Sequence, residues 1–302
     1  MRWKAALQAS MTIFYDPSCL KYSSPGHPER PERIARTAPV LHDRHPDWEW
    51  RKPTPATDAL LLRAHSPKHV EAVANALEGF DLDTPFHPNI EMHARRSVGA
   101  AIEATRSALR GKSAFSLMRP PGHHATRDRA MGFCYFSNVA VAAFDALQNG
   151  AERISVWDFD GHHGNGTEAI VLNNERIRFA SFHQFPAYPG TGAKSFANID
   201  NYPIAPHTPR GEILVVARRS LDKLITFEPD LLLVSAGFDA YARDPLLQLT
   251  LEPEDFAMFG KWLGEIEIPV AVALEGGYSN DLPELIDAFM SAWQVKAADL
   301  HG

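Results

Sequence analysis

The chain has 302 residues, 45% hydrophobic and 22% charged, with 30 Lys plus Arg against 37 Asp plus Glu and a net charge of −7. That balance excludes a disordered, collagenous or coiled-coil chain, and an acidic chain with no basic face is not built to track a nucleic-acid backbone. The length allows one large α/β domain that buries about three quarters of its unfolded surface, so no disulfide or structural metal is needed to hold it. The two cysteines, Cys19 and Cys134, stand apart without a C-x-x-C spacing. A cysteine-built zinc site is therefore excluded, and any metal must use nitrogen and oxygen. No run of 18 apolar residues offers a membrane span, and the first ten residues break their apolar run too early for a signal peptide, so a cytoplasmic protein is expected.

In chain order, residues 1–10 read as a flexible tail ahead of a single domain at 11–302. Proline-rich stretches at 25–31, 53–55 and 84–88 read as surface loops, because proline fixes φ and removes a donor. Short apolar runs at 114–118, 153–157, 177–182, 230–236 and 268–274 have the length and composition of buried strands. Segments 137–148, 211–226 and 253–266 carry helix periodicity between them, the last opened by acids at its positive end. Alternating buried strands and helices predict a parallel sheet covered on both faces, which binds ligands at the carboxyl ends of its strands.

Those ends are where the unusual residues fall. After the first run, Pro120-Pro121-Gly122 leads into His123 and His124, a pair that trades protons near neutral pH or simply belongs to a loop. The second run ends W-D-F-D-G-H-H-G-N-G. An extended backbone there would put Asp158, Asp160 and His162 on one side by the two-residue period. Two carboxylates and an imidazole aimed together are costly without a cation, whereas a plain helix cap needs only one acceptor. The third run is followed by His183, the fourth by Asp239, and the fifth by Gly276, Gly277 and Tyr278. Asp239 alone reads as a cap and Tyr278 alone as a packed ring. Taken together, Asp160, His162 and Asp239 supply three ligands with an open position, as in a catalytic zinc site.

These strings, in this order, resemble the histone deacetylase superfamily. R-P-P-G-H-H-A (119–125) with D-F-D-G-H-H-G-N-G is similar to its class II branch, which includes bacterial deacetylase-like proteins and acetylpolyamine amidohydrolases. G-H-P-E-R-P-E-R-I (26–34), G-F-C-Y-F-S-N-V-A-V-A-A (132–143), F-P-A-Y-P-G-T-G (185–192) and L-E-G-G-Y (274–278) extend the resemblance over most of the chain. It implies the arginase/deacetylase fold, a three-layer α/β/α domain with a mainly parallel eight-stranded sheet. By position it implies zinc ligands at Asp160, His162 and Asp239, tandem catalytic histidines at His123 and His124, and a carbonyl-gripping Tyr278. Asp158 is implied to support His123 and, with Asp160, His162, Ser181 and Phe182, to form a structural potassium site. Asn165 stands where class I members carry an acid, which implies a less firmly oriented His124. Phe133 and Tyr188 are implied as tunnel walls, with Gly132, Gly276 and Gly277 beside them, and Arg33 as lining an acetate exit cavity.

The activity so implied is zinc-dependent hydrolysis of acetyl or other short acyl groups from N-acylated amines. In it His124 moves the proton, His123 stabilises charge and Tyr278 donates to the oxyanion. The substrate is an acetyl-lysine peptide or protein, or alternatively an acetylated polyamine; relatives also associate as homo-oligomers through rim loops. Two other readings remain beside it: a non-catalytic binder of acyl groups, whose degenerate sites usually lack one of these residues, and a two-manganese ureohydrolase, which needs further carboxylates where G-H-H-G-N-G offers none. Acidic residues Glu78, Asp81, Asp83 and Glu91 would either attract cationic groups to the mouth or form a solvated loop.

Overall fold

The computed structural model describes residues 8–294. The five apolar runs become strands β3 (Lys112–Ser116), β4 (Ile154–Asp158), β5 (Ile177–Gln184), β7 (Leu231–Ala236) and β8 (Val270–Leu274). Three further strands, β1 (Gln8–Phe14), β2 (Glu49–Arg51) and β6 (Ile199–Ile204), complete one eight-stranded sheet of order β2-β1-β3-β8-β7-β4-β5-β6. Every pairing is parallel. The sheet's two edges escaped the sequence reading because edge strands are short and polar: β2 is three residues long, and β6 carries Asp200, Asn201 and Pro203. The expected tail at 1–10 is corrected at its end, since β1 begins at Gln8; residues 1–7 lie outside the described residues.

Every residue of β4, β7 and β8 is buried, so both faces of the sheet centre are covered. Helices α4 (Ile90–Leu109) and α5 (Asn138–Gln148) pack together, as do α1 (Glu32–Arg44), α8 (Pro253–Gly264) and α9 (Leu282–Gln294). Glu252 and Asp255 form a reciprocal capping box that starts α8. The chain leaves β4 toward β5 and β6 but leaves β7 toward β8, so the direction of winding reverses between these adjacent strands. Such a reversal opens a crevice at the carboxyl ends, and the residues singled out above gather there.

A buried ion cluster ties the loop after β1 to that edge. The Glu29 carboxylate accepts from Arg119 Nη2 at 2.7 Å and Arg33 Nη1 at 3.2 Å, and Tyr22 Oη donates to it at 3.2 Å. Burial works to raise the Glu29 pKa, but the charge and hydrogen bonds of Arg119 together with the Arg33 charge outweigh it and hold the carboxyl below its usual range. Glu29→Ala leaves two buried guanidinium groups unpaired and is expected to destabilise the fold by about 3–5 kcal/mol, read from urea unfolding midpoints. A loss below about 1 kcal/mol would show that water replaces the carboxylate.

Candidate active site

Phe159 anchors the D-F-D segment: its fully buried ring packs on Trp157, Phe238, Phe259 and Phe289, with the two aspartates on either side of it in the chain. The extended geometry expected past Asp158 does not occur. β4 ends at Asp158, and the chain then curls so that Asp160 N–H donates to Asp158 Oδ1 (3.1 Å) and His162 N–H to Asp160 Oδ1 (2.9 Å). This curl parts the two carboxylates. Asp158 turns to His123, while Asp160 meets His162 and Asp239.

The donor atoms of Asp160, His162 and Asp239 lie within 4.8 Å of one another, and all three residues are buried. His162 Nδ1 is 2.7 Å from Asp239 Oδ2 and 3.4 Å from Asp160 Oδ1. Backbone N–H groups steady the remaining oxygens: Gly161 donates to Asp239 Oδ1 (2.6 Å) and Gly276 to Asp160 Oδ2 (2.7 Å). Burial disfavours a charged imidazole, yet the Asp239 and Asp160 carboxylates push the His162 pKa up to about 10. Such a demand for positive charge between two buried carboxylates is what a divalent cation satisfies, and the oxygen and nitrogen donors suit one.

Glu275 is the residue that sequence reasoning passed over. Its buried carboxylate accepts from Gly122 N–H (2.6 Å) and His123 N–H (3.1 Å), fixing the tandem histidines beyond β3. An acid that ends a fully apolar strand was the available signal. His123 Nδ1 lies 3.1 Å from Asp158 Oδ2, and its Nε2 points toward Asp160 at 3.8 Å. Burial would lower its pKa, but the Asp160 and Asp158 charges raise it to about 10, so the proton of this pair sits on His123. A cation bound by Asp160 would weaken that pull and leave Asp158 as the partner.

His124 behaves oppositely: burial, then the charges of His123 and His162, hold its pKa well below the usual value. Its Nδ1 donates to Asn165 Oδ1 at 2.7 Å, so the looser orientation expected of an amide at this position is not found. That bond places the free lone pair on Nε2, the arrangement of a general base.

Phe133, at a left-handed φ of 69°, sets its ring against His27 (4.7 Å) and Tyr278 (5.7 Å). Tyr188 sets its ring edge-on to His124 at 5.1 Å. The two aromatics thus flank the His124–Tyr278 pair, and they make no ring contact with each other among the described residues. Gly132 lies between His124 and Tyr188, where a Cβ would stand 2.6 Å from the imidazole and 2.9 Å from the phenol ring. Gly276 and Gly277 make close contacts of their own. A Cβ on Gly276 would press on the Asp160 and Asp239 carboxylates, and Gly277 turns at φ +111° against Phe238 and Leu282.

Arg33 holds that turn: Nε donates to Gly277 O at 2.7 Å, Nη2 to Glu275 O, and the guanidinium lies 4.8 Å over the Tyr278 ring. These bonds occupy the group expected to line an exit cavity. Ser181 Oγ bonds His183 Nδ1 at 2.9 Å, and His183 Nε2 reaches Gly192 O at 3.1 Å, so His183 braces the Tyr188 loop and stays out of the metal cluster. Glu91 pairs with Arg95 at 2.7 Å on α4, whereas Asp83 O meets His27 and Thr84 Oγ1 accepts from Phe133 N–H, placing residues 83–84 at the mouth.

At the carboxyl edge of the parallel sheet, then, a buried carboxylate–imidazole–carboxylate cluster able to hold a metal ion stands beside two histidines. The histone deacetylase domain matches residues 27–293, and the chain belongs to that family. It is 42% identical, over 91% of this chain and 95% of the other, to an uncharacterised Synechocystis protein. It is 35% identical to the histone deacetylase-like amidohydrolase of Pseudomonas aeruginosa, over 92% of this chain and 79% of that one. The structure superposes on the acetylpolyamine aminohydrolase of Burkholderia pseudomallei with a TM-score of 0.85 and 25% identity, covering 94% and 98% of the two chains. No helix among the described residues is long and apolar enough to cross a membrane.

Proposed function

We propose that this enzyme uses one zinc ion to hydrolyse the amide of acetylated primary amines borne on an extended aliphatic chain, acetyl-lysine in proteins or an acetylated polyamine. The observation that carries this reading is the buried Asp160–His162–Asp239 cluster with the neutral His124 ring 6.1 Å from the His162 ring. Those three residues would hold the ion, which supplies a Lewis acid for the amide carbonyl and makes a water nucleophile available at neutral pH.

The chain's own residues do the rest. His124 Nε2 takes the proton from the attacking water and returns one to the departing nitrogen, since an amine leaves poorly as its anion. His123, kept charged by Asp158, stabilises developing negative charge from the other side. Tyr278 Oη donates to the oxyanion. Phe133 and Tyr188 exclude water around the methylenes, at modest desolvation cost because acetylation has removed the amine's charge. Asp83 at the mouth favours a second cationic group on the substrate, which both peptide and polyamine provide. A structural potassium ion belongs to the same reading, held by Asp158, Asp160, His162, Ser181 and Phe182; the parallel register that sets Asp158 beside Ser181 supports it.

The test is a panel of acetyl-lysine peptides, acetylated polyamines and longer acyl-lysines, assayed on protein of measured metal content. Chelator-sensitive acetate release with one zinc per chain supports the reading, and the preferred member names the substrate. Release from none, or two bound manganese ions per chain, overturns it; one Fe(II) per chain would correct the metal alone.

A further inference from the structure

We propose that Asp244 is a positioning residue for Tyr278, an inference that rests on the amidohydrolase reading above. Asp244 lies five residues beyond the ligand Asp239, is 7% exposed, and has a role that the metal cluster does not explain. Its Oδ2 accepts the backbone N–H of Tyr278 at 2.7 Å, across 34 residues of sequence, and its Oδ1 accepts from Leu246 N–H at 3.0 Å. Both acceptors are thus spent on backbone. Burying a carboxylate for two amides is costly in stability unless the position of one of them matters.

The geometry says which one. Tyr278 follows Gly277, whose φ of +111° lies where no side chain helps to set the backbone, so the direction of the tyrosine must be fixed from outside the turn. Two more bonds join the same segments: Phe238 N–H donates to Gly276 O at 3.1 Å, and Tyr241 Oη donates to Asp281 Oδ2 at 2.8 Å. Arg33 holds the carbonyl of the Gly277–Tyr278 peptide bond at 2.7 Å, and Asp244 holds its N–H from the loop that carries Asp239. Because Asp239 belongs to the same loop, this bond refers the phenol to the same frame as the metal ligands. Loss of the Asp244 bond leaves that peptide plane held on its carbonyl side alone, by Arg33, so that it can tilt and displace the phenol while the metal cluster stays whole.

A double-mutant cycle tests this on the metal-loaded full chain, with an acetyl-lysine peptide and an acetylated diamine as parallel substrates. Asp244→Ala is expected to lower kcat by about 100-fold, the cost of an oxyanion donor misplaced by roughly 1 Å, with KM and bound metal unchanged. In a Tyr278→Phe background the same substitution should cost less than about threefold, because the group it positions is gone. Asp244→Asn keeps one carbonyl oxygen for the Tyr278 N–H and is expected to recover most of kcat, as the conservative control; should Asp244→Ala fail to fold, Asp244→Ser carries the cycle. An equal loss in both backgrounds, loss of metal, or unchanged kcat in the Asp244→Ala or Asp244→Ser variant overturns the inference. Wild-type protein that cleaves neither amide overturns the amidohydrolase reading and this inference with it, whereas additive losses in an active enzyme overturn this inference alone.

Discussion

Tyr278→Phe is expected to lower kcat by about 10²- to 10³-fold, the usual cost of removing one oxyanion donor, while metal content and KM stay near those of the parent. Tyr278 is 7% exposed, and its ring is held between Arg33 and Phe133, so the phenylalanine ring keeps the same packing and only the hydroxyl is lost. Burial first, and then the nearby Asp160 and Asp239 charges working against the Arg33 charge, keep the phenol's pKa well above its ordinary value. Tyr278 therefore acts as a hydrogen-bond donor. Steady-state kinetics beside metal analysis check this, and full turnover in the variant would remove Tyr278 from the chemistry.

Gly276→Ala should strike the metal instead. Its Cβ would lie 2.5 Å from Asp160 Oδ2 and 2.5 Å from Asp239 Oδ2, closer than a methyl group tolerates. The carboxylates must part, or the turn must retreat and take with it the Gly276 N–H bond to Asp160. Loss of such supporting geometry costs about 10- to 100-fold in metal affinity, so activity should fall in dilute metal and partly return as metal is added. Titration with a competing chelator measures it. Unchanged affinity would mean that the turn relaxes freely, against the Arg33 bond that holds it.

These two substitutions also mark how far the sequence could be read. Tyr278 alone reads as a packed ring, and only the other strand-end residues and the family resemblance single it out. The role of Gly276 could not be inferred, because nothing in L-E-G-G-Y says that the carboxylates of Asp160 and Asp239, from the turns after β4 and β7, come within contact of that glycine. Glu275 was hidden in the same way: its partners, Gly122 and His123, stand more than 150 residues away in the chain. The central strands were legible because they are buried on both faces and therefore mostly apolar, while β2 and β6 were not, since an edge strand has little apolar surface to bury.

The chain by itself determined the parallel α/β architecture, the sheet edge that carries function, and the side chains with nitrogen and oxygen donors that stand there. Residue order dictates these through burial patterns and local spacing. Residue spacing put Asp158 and Asp160 on one side; the tertiary structure sets Asp158 against His123 and Asp160 beside His162 and Asp239, as the family resemblance implied, and it alone decided that Asn165 accepts from His124 and that Glu29, Arg33 and Glu275 hold the loops in register. The reason is that each of these is a hydrogen bond or ion pair between distant segments, formed only when strands from separate parts of the chain lie side by side.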